Sequence, residues 1–344
     1  MNRKASHGGR APFSSALHIT VLTDGRAGNR AQALGIAEAL SRRGEVRIEE
    51  RTVALKRPFA PLPARLWHAL GALPGWPSLG LKEPGPTLAR LGDAALLIGA
   101  GRRAAPIVAY LARRENVPSV QLLDPQMDPA AFSLVAAPAH DGLDAPNAVA
   151  TLGSVGRITP GSIAAAQAAL PAALAGQLKA LPRPRIGVLL GGSSAAARWS
   201  GADAAAFATA CHRLAEDGYG LLITPSRRTD QALSDRLAGD LPASACFFWD
   251  GTGANPYPGM LGLVDAVLVT ADSVNMASEA AAAGLPVHVF PISHLGPKHR
   301  AFHGALEAHG ASRPFDGRIE EWRYPPLAEA DRLAGIVAER LLPG

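Results

Sequence analysis

Residues Val269 to Pro291 read VTADSVNMASEAAAAGLPVHVFP. An apolar run ends in Thr270-Ala-Asp-Ser273, and a helix is expected over Ser273–Ala283. Gly284 stops it, and Pro286 leads into a strand over Pro286–Phe290. Strand–helix–strand units with short apolar strands build parallel sheets covered on both faces.

The same alternation extends in both directions. Strands are expected at Arg185–Leu190, Tyr219–Thr224, Cys246–Trp249 and Ala266–Thr270, with helices at Ser200–Asp217 and Thr229–Ala238. Ser200 and Asp203 have capping-box spacing. Nearer the N-terminus, strands are expected at Leu17–Thr23, Glu45–Val53, Ala94–Ile98, Ser119–Leu123, Ser133–Ala137 and Ala148–Thr151. Helices are expected at Asn29–Arg43, Ala104–Arg114 and Leu327–Leu342. The fold class is therefore α/β, with two Rossmann-like doubly wound domains facing one cleft. Residues 1–16 read as a tail, 17–165 as the first domain, 166–184 as a linker, 185–325 as the second domain and 326–344 as a closing helix. Ligands of such sheets bind beyond the carboxyl ends of the strands.

Composition bounds the function. The chain has 344 residues, 48% of them hydrophobic and 18% charged, with net charge +5. Mild basicity suits an anionic small molecule or membrane surface. Basic residues come in pairs and aromatics are 5%, which disfavours nucleic acid as a partner. Residues 1–16 lack a signal peptide's apolar stretch, and no run is long enough for a membrane span. Cys211 and Cys246 read as free thiols in a reducing cytoplasm. A cytoplasmic enzyme is expected, with peripheral contact at the inner membrane face as an option.

Three loops at strand ends carry candidate donor-site residues. Gly191-Gly192-Ser193-Ser194 offers amides and hydroxyls to phosphate. Thr224-Pro-Ser226-Arg227-Arg228-Thr229 adds hydroxyls and paired arginines. Asp272, Ser273, Asn275 and Met276 sit at a helix mouth, and Glu279 has a carboxylate suited to a ribose diol. In the first domain, Asp24 is a candidate base at the end of the first strand, or a turn residue bonding its own backbone. Gly25, Gly28, Asn29 and Gln32 follow it as candidate acceptor-binding residues, and Arg102 and Arg103 offer an acceptor-phosphate site or solvated helix-start charges. His140-Asp141 is the second candidate for the base.

His299 and His303, four residues apart, read as a surface pair. With no Asp-x-Asp, no metal is expected and no cofactor is called for. Phe59, Trp67 and Trp76 lie among Lys56, Arg57 and Arg65, a mixture suited to an anionic bilayer or to a Pro-broken packed segment.

Glu279-Ala-Ala-Ala-Ala-Gly-Leu-Pro286 with Gly191-Gly-Ser193 resembles the donor half of GT-B glycosyltransferases of the MurG type. Thr23-Asp-Gly-Arg-Ala-Gly-Asn29, Gln32, Pro138-Ala-His-Asp141, Thr224–Thr229 and Thr270–Ser273 together resemble the mitochondrial-fission Elm family, over about residues 17–310. That resemblance implies two Rossmann-like domains and a nucleotide-sugar donor. The acceptor would be a cell-envelope molecule, lipid-linked among the options. Non-catalytic recruitment on the same fold is the alternative. Family members also carry an epimerase label. Gly25-Arg-Ala-Gly28 lacks dinucleotide-loop spacing and the chain has no Tyr-x-x-x-Lys, which argues against that label.

Overall fold

The computed structural model describes residues 16–73 and 75–342. Most of the expected N-terminal tail lies outside the described residues.

The first sheet holds β1 (Leu17–Thr23), β2 (Val46–Thr52), β3 (Ala94–Ala100), β4 (Ser119–Leu122), β5 (Leu134–Pro138) and β6 (Ala148–Thr151). The later strands are β7 (Arg185–Leu190), β8 (Ala197–Arg198), β9 (Gly220–Pro225), β10 (Cys246–Phe248), β11 (Ala266–Thr270), β12 (Val287–Phe290), β13 (His294–Leu295) and β14 (Ser312–Pro314). The sheet orders are β2-β1-β3-β4-β5-β6 and β10-β9-β7-β11-β12-β14, and β8 and β13 form a separate antiparallel pair. The central strand pairs of both large sheets are parallel. The α/β reading with two doubly wound sheets holds.

Contacts divide the chain into two compact units. The first runs to Ala137 and adds Leu143–Ala150 and the residues from Ala330 onward; the second is Pro138–Gly142 with Thr151–Glu329. Two expectations shift. Residues 166–184 are no free linker, because Leu178 and Leu181 are buried with Tyr257, Met260 and Leu261 in a core of the second unit. The C-terminal helix Glu329–Leu341 is no separate element either. It packs on the first unit, where Asp331 pairs with Arg42 at 2.7 Å and accepts Arg43 on its carbonyl at 3.3 Å.

Strand periodicity builds the second unit's core. Ile186, Val188 and Leu190 of β7 face one way, onto Phe207, Leu214 and Leu237 of the helices Gly201–Glu216 and Gln231–Asp240. Leu189 faces the other way, into the core holding Ala277, Ala280 and Ala281 of the helix Val274–Ala282. Side chains alternate faces along a strand, so a strand covered on both sides must be apolar throughout. The alanines let the Val274–Ala282 helix lie close to the sheet, beside the ends of β11 and β7.

Candidate functional site

In the second unit, β7, β9 and β11 run the same way, so their following loops gather on one edge. The Gly191 amide donates to Thr270 Oγ1 at 2.9 Å. The Gly192 amide donates to Asp272 Oδ2, and Trp199 Nε1 donates to Asp272 Oδ1 at 3.0 Å. Asp272 is buried and both its oxygens serve the protein. A Cβ on Gly191 would overlap that carboxylate, and one on Gly192 would overlap the Arg228 carbonyl. Only glycine fits such approaches. The expected roles of Gly191 and Gly192 as phosphate donors and of Asp272 as a ligand group are therefore corrected. Their polar groups hold the loop instead. Further bonds in the loop run from the Ser194 amide to the Ala197 carbonyl, from the Trp199 amide to Ser193 Oγ, from the Ala196 and Ala197 amides to Ser194 Oγ, and from the Thr229 hydroxyl to the Gly191 carbonyl. Among the described residues the Ser193 amide has no protein acceptor.

The loop after β9 is also self-bonded. The Ser226 amide donates to the Leu190 carbonyl and to Thr229 Oγ1, each at 2.8 Å, and the Arg228 amide donates to Ser226 Oγ at 3.2 Å. Thr224 is buried with its hydroxyl toward the Met260 sulfur at 3.9 Å, which removes it from the ligand set. Arg227 and Arg228 are exposed. A cleft of about 420 Å³ opens here, lined by Ser193, Trp199, Ala204, Arg228, Leu233 and Arg236 among others.

At the mouth of the Val274–Ala282 helix, Ser273 is buried and makes no capping bond. Asn275 Oδ1 accepts the Ser154 hydroxyl, and Met276 packs on the core. Glu279 lies one turn further, close to Gly156. Burial pushes its carboxyl up to about 7, with Tyr257 pulling the other way. Tyr257 is itself raised, first by burial and then by the Glu279 charge, and its hydroxyl has no well-formed hydrogen bond among the described residues. An acid this easily neutralised is one that gains from partners able to donate to it.

The structure also gathers a histidine group that the sequence reading scattered. His140 belongs to the second unit, its ring edge-on to Phe302 with centroids 5.9 Å apart. Asp141 pairs with Lys298 at 2.7 Å. His299 and His303, on the helix Pro297–Ala308, are not a surface pair. His303 Nε2 donates to the Ala271 carbonyl at 2.7 Å, and the Nδ1 atoms of both histidines are buried without partners among the described residues. Burial lowers the pKa of all three imidazoles; Asp272 raises His299, and Arg228 lowers it further. They are thus held neutral and can accept protons. The available signal was Pro297-Lys-His-Arg300 opening a helix just past β12.

In the first unit, Asp24 Oδ1 accepts the Arg26 amide at 3.3 Å and Asn29 Nδ2 at 2.9 Å. This is the turn-residue arrangement. Gly25 has φ +74°, and Asn29 sits where a Cβ on Gly101 would be, so the loops after β1 and β3 interlock. Gln32 is buried. Arg102 is exposed and reaches Gln126 at 3.3 Å, and Arg103 is half-buried beside it.

The expected membrane aromatics are corrected. Trp67 and Trp76 are 3% and 8% exposed, with ring centroids 4.4 Å apart and Phe59 edge-on to both. Trp67 Nε1 donates to the Phe59 carbonyl and Trp76 Nε1 to the Trp67 carbonyl, each at 3.0 Å. They form a core with their polar atoms satisfied, the usual state of buried tryptophan.

Among solved structures, this architecture is that of GT-B-like nucleotide-sugar enzymes. UDP-GlcNAc 2-epimerase from Methanocaldococcus jannaschii matches with TM-score 0.58 and 10% identity, covering 94% of this chain and all of that one. UGT2 of Phytolacca americana, solved with UDP-2-fluoro-glucose and pterostilbene, matches with TM-score 0.51 and 12% identity, covering 94% and 90%. The chain belongs to the mitochondrial fission ELM1 family, whose sequence model matches residues 27–341. It is 31% identical over 279 residues to mitochondrial fission protein ELM1 of Arabidopsis thaliana, covering 72% of this chain and 64% of the plant protein. The chain thus spans less than two thirds of that relative's length. The missing dinucleotide loop argues only against an epimerase that works through a bound dinucleotide. It does not bear on an epimerase of this two-sheet fold.

Proposed function

We propose that the chain is a glycosyltransferase that moves a sugar from a nucleoside diphosphate sugar to a cell-envelope acceptor, with a lipid-linked acceptor among the options. One observation carries the reading. The loops after β7 and β9 bring the Ser193 amide and Arg228 to one cleft, Arg228 is near enough to His299 to lower its pKa, and Glu279 lies on the helix that follows β11 in the same unit. The amide and the guanidinium suit a leaving diphosphate, because preorganised donors stabilise developing charge. Glu279 suits the ribose. His140 is the preferred base, since Asp24 is committed to its own turn. In the first unit, Gly25, Asn29, Arg102 and Arg103 would meet the acceptor. No metal or cofactor takes part in this scheme.

The test is turnover. The protein is incubated with nucleotide sugars and an envelope lipid extract. Release of nucleoside diphosphate with labelled lipid supports transfer. An epimerised nucleotide sugar with no transfer would replace this reading with epimerisation. The second reading, recruitment of a partner without catalysis, draws on the family's fission name. Binding of nucleoside diphosphate without any turnover would favour it.

A further inference from the structure

We propose that Leu66, Leu73 and Leu79 of the first unit, with Lys56, Arg57 and Arg65, form a docking surface for an anionic bilayer, made by leucines and not by the aromatic residues. Among the described residues the exposed large hydrophobics are Leu66, Leu73 and Leu79, at 42%, 54% and 60% exposure, and all three lie close together in the chain. Leu66 stands on the helix Ala64–Ala69, which passes directly into the turn Leu70–Ala72. Leu70, between Leu66 and Leu73, packs inward on the core that holds Trp67 and Trp76, while Leu73 follows the turn in extended backbone and stands exposed. Trp67, one residue on from Leu66, points inward, and a Cβ on Gly80 would strike its ring, so the chain at Gly80 clasps that tryptophan. Leu79 closes the loop, its amide donating to the Gly75 carbonyl at 3.3 Å. The buried rings thus act as a rivet that holds the leucines outward.

Charge selects the occupant. From Val53 to Lys82 the chain has no acidic residue, and it carries Lys56, Arg57, Arg65 and Lys82. Lys56, Arg57 and Arg65 are exposed and make no ion pair among the described residues. Protein interfaces are enriched in aromatic rings and poor in lysine. Here the rings are inside, and aliphatic side chains stand among long cationic ones. Such cations keep their heads at lipid phosphates while their stems cover apolar surface. Shallow aliphatic insertion with basic neighbours is the chemistry of peripheral binding to anionic lipid.

The inference does not depend on the donor reading, and its test needs no turnover. The full chain is sedimented with vesicles of phosphatidylcholine alone and of phosphatidylcholine mixed with phosphatidylglycerol. Wild type should sediment with the mixed vesicles, less so as salt rises, and not with phosphatidylcholine alone. Leu66→Ser/Leu73→Ser/Leu79→Ser should weaken partitioning by about tenfold or more with an unchanged unfolding midpoint. Lys56→Glu/Arg57→Glu/Arg65→Glu should do the same, and it tests the surface independently if the leucine variant misfolds. Three results would overturn the proposal: no sedimentation of wild type with anionic vesicles, equal sedimentation of all variants, or equal binding to phosphatidylcholine alone. A wild-type dimer that the leucine variant dissociates, with vesicles ignored, would assign the surface to a second copy of the chain and also overturn it.

Discussion

The Asp272 carboxylate accepts the backbone amide of Gly192, and this bond ties the end of β11 to the loop after β7. The pair explains why two glycines and one acid stand where they do. The first glycine leaves room for the carboxylate and the second presents the amide. The site's shape therefore depends on a buried acid that need not touch ligand.

Gly191→Ala should destabilise the protein. The new methyl would overlap Asp272, which is held at both oxygens. Overfilling a packed site costs about 1–3 kcal/mol. Asp272→Ala should cost about 1–3 kcal/mol as well, by stranding the Gly192 and Trp199 donors. Urea unfolding of both variants and of the double variant checks this. Because the two act on one contact, the double variant should lose less than the sum.

Glu279 gives stability a pH dependence of known sign. Its carboxyl is raised from 4.5 to about 7 by burial, so the folded state favours the neutral form. That contribution is complete below pH 4.5 and is lost as pH rises from 4.5 through about 7. Glu279→Gln mimics the neutral acid. It should match wild type at the acid end and become more stable above pH 7, by on the order of 2–3 kcal/mol. Unfolding midpoints measured across that range decide it. A constant offset at every pH would mean that Glu279 titrates as an ordinary surface acid.

His140 should set the acid limb of activity. Burial holds its pKa below the usual 6.5, so it is neutral and able to accept a proton at neutral pH. The rate should fall only as pH drops below 6.5, the ordinary imidazole value. His140→Ala should lower kcat by about 10²- to 10⁴-fold, the range for a general base, and abolish that limb. Asp24→Asn, which keeps an acceptor for the Arg26 amide, should change kcat far less. The reverse ranking would move the base to Asp24.

Turnover should survive excess chelator. The proposed site neutralises diphosphate with an amide and Arg228, and the sequence has no Asp-x-Asp. Loss of activity that magnesium or manganese restores would contradict this.

Much of the fold was legible because buried parallel strands are short, apolar and bounded by turn residues. β1, β6, β7 and β11 fall where the sequence places them, while β14 and the two-residue pair β8–β13 were missed. Ser312–Pro314 is too short and too polar to stand out, and such brief pairs are fixed by tertiary contacts. The site was read less well for two physical reasons. Sequence shows that Gly191, Gly192 and Asp272 are unusual, but not whether their polar groups face a ligand or each other. It shows Trp67 and Trp76 among cations, but not that their indole nitrogens find carbonyls inside. His299 was undervalued because its neighbours Asp272 and Arg228 come from distant parts of the chain.

The central claim is that the second unit binds a nucleoside diphosphate with Glu279 on its ribose. The most direct measurement is the affinity of wild type and Glu279→Gln for a panel of nucleoside diphosphates and their 2′,3′-dideoxy analogues, by calorimetric titration. The account predicts that one nucleoside diphosphate binds wild type. Glu279→Gln should weaken it by roughly 10- to 150-fold, the value of a lost charge-assisted hydrogen bond of about 1.5–3 kcal/mol. The dideoxy analogue should lose much less. Equal losses for both ligands, or no binding by any member of the panel at millimolar concentration, would contradict it.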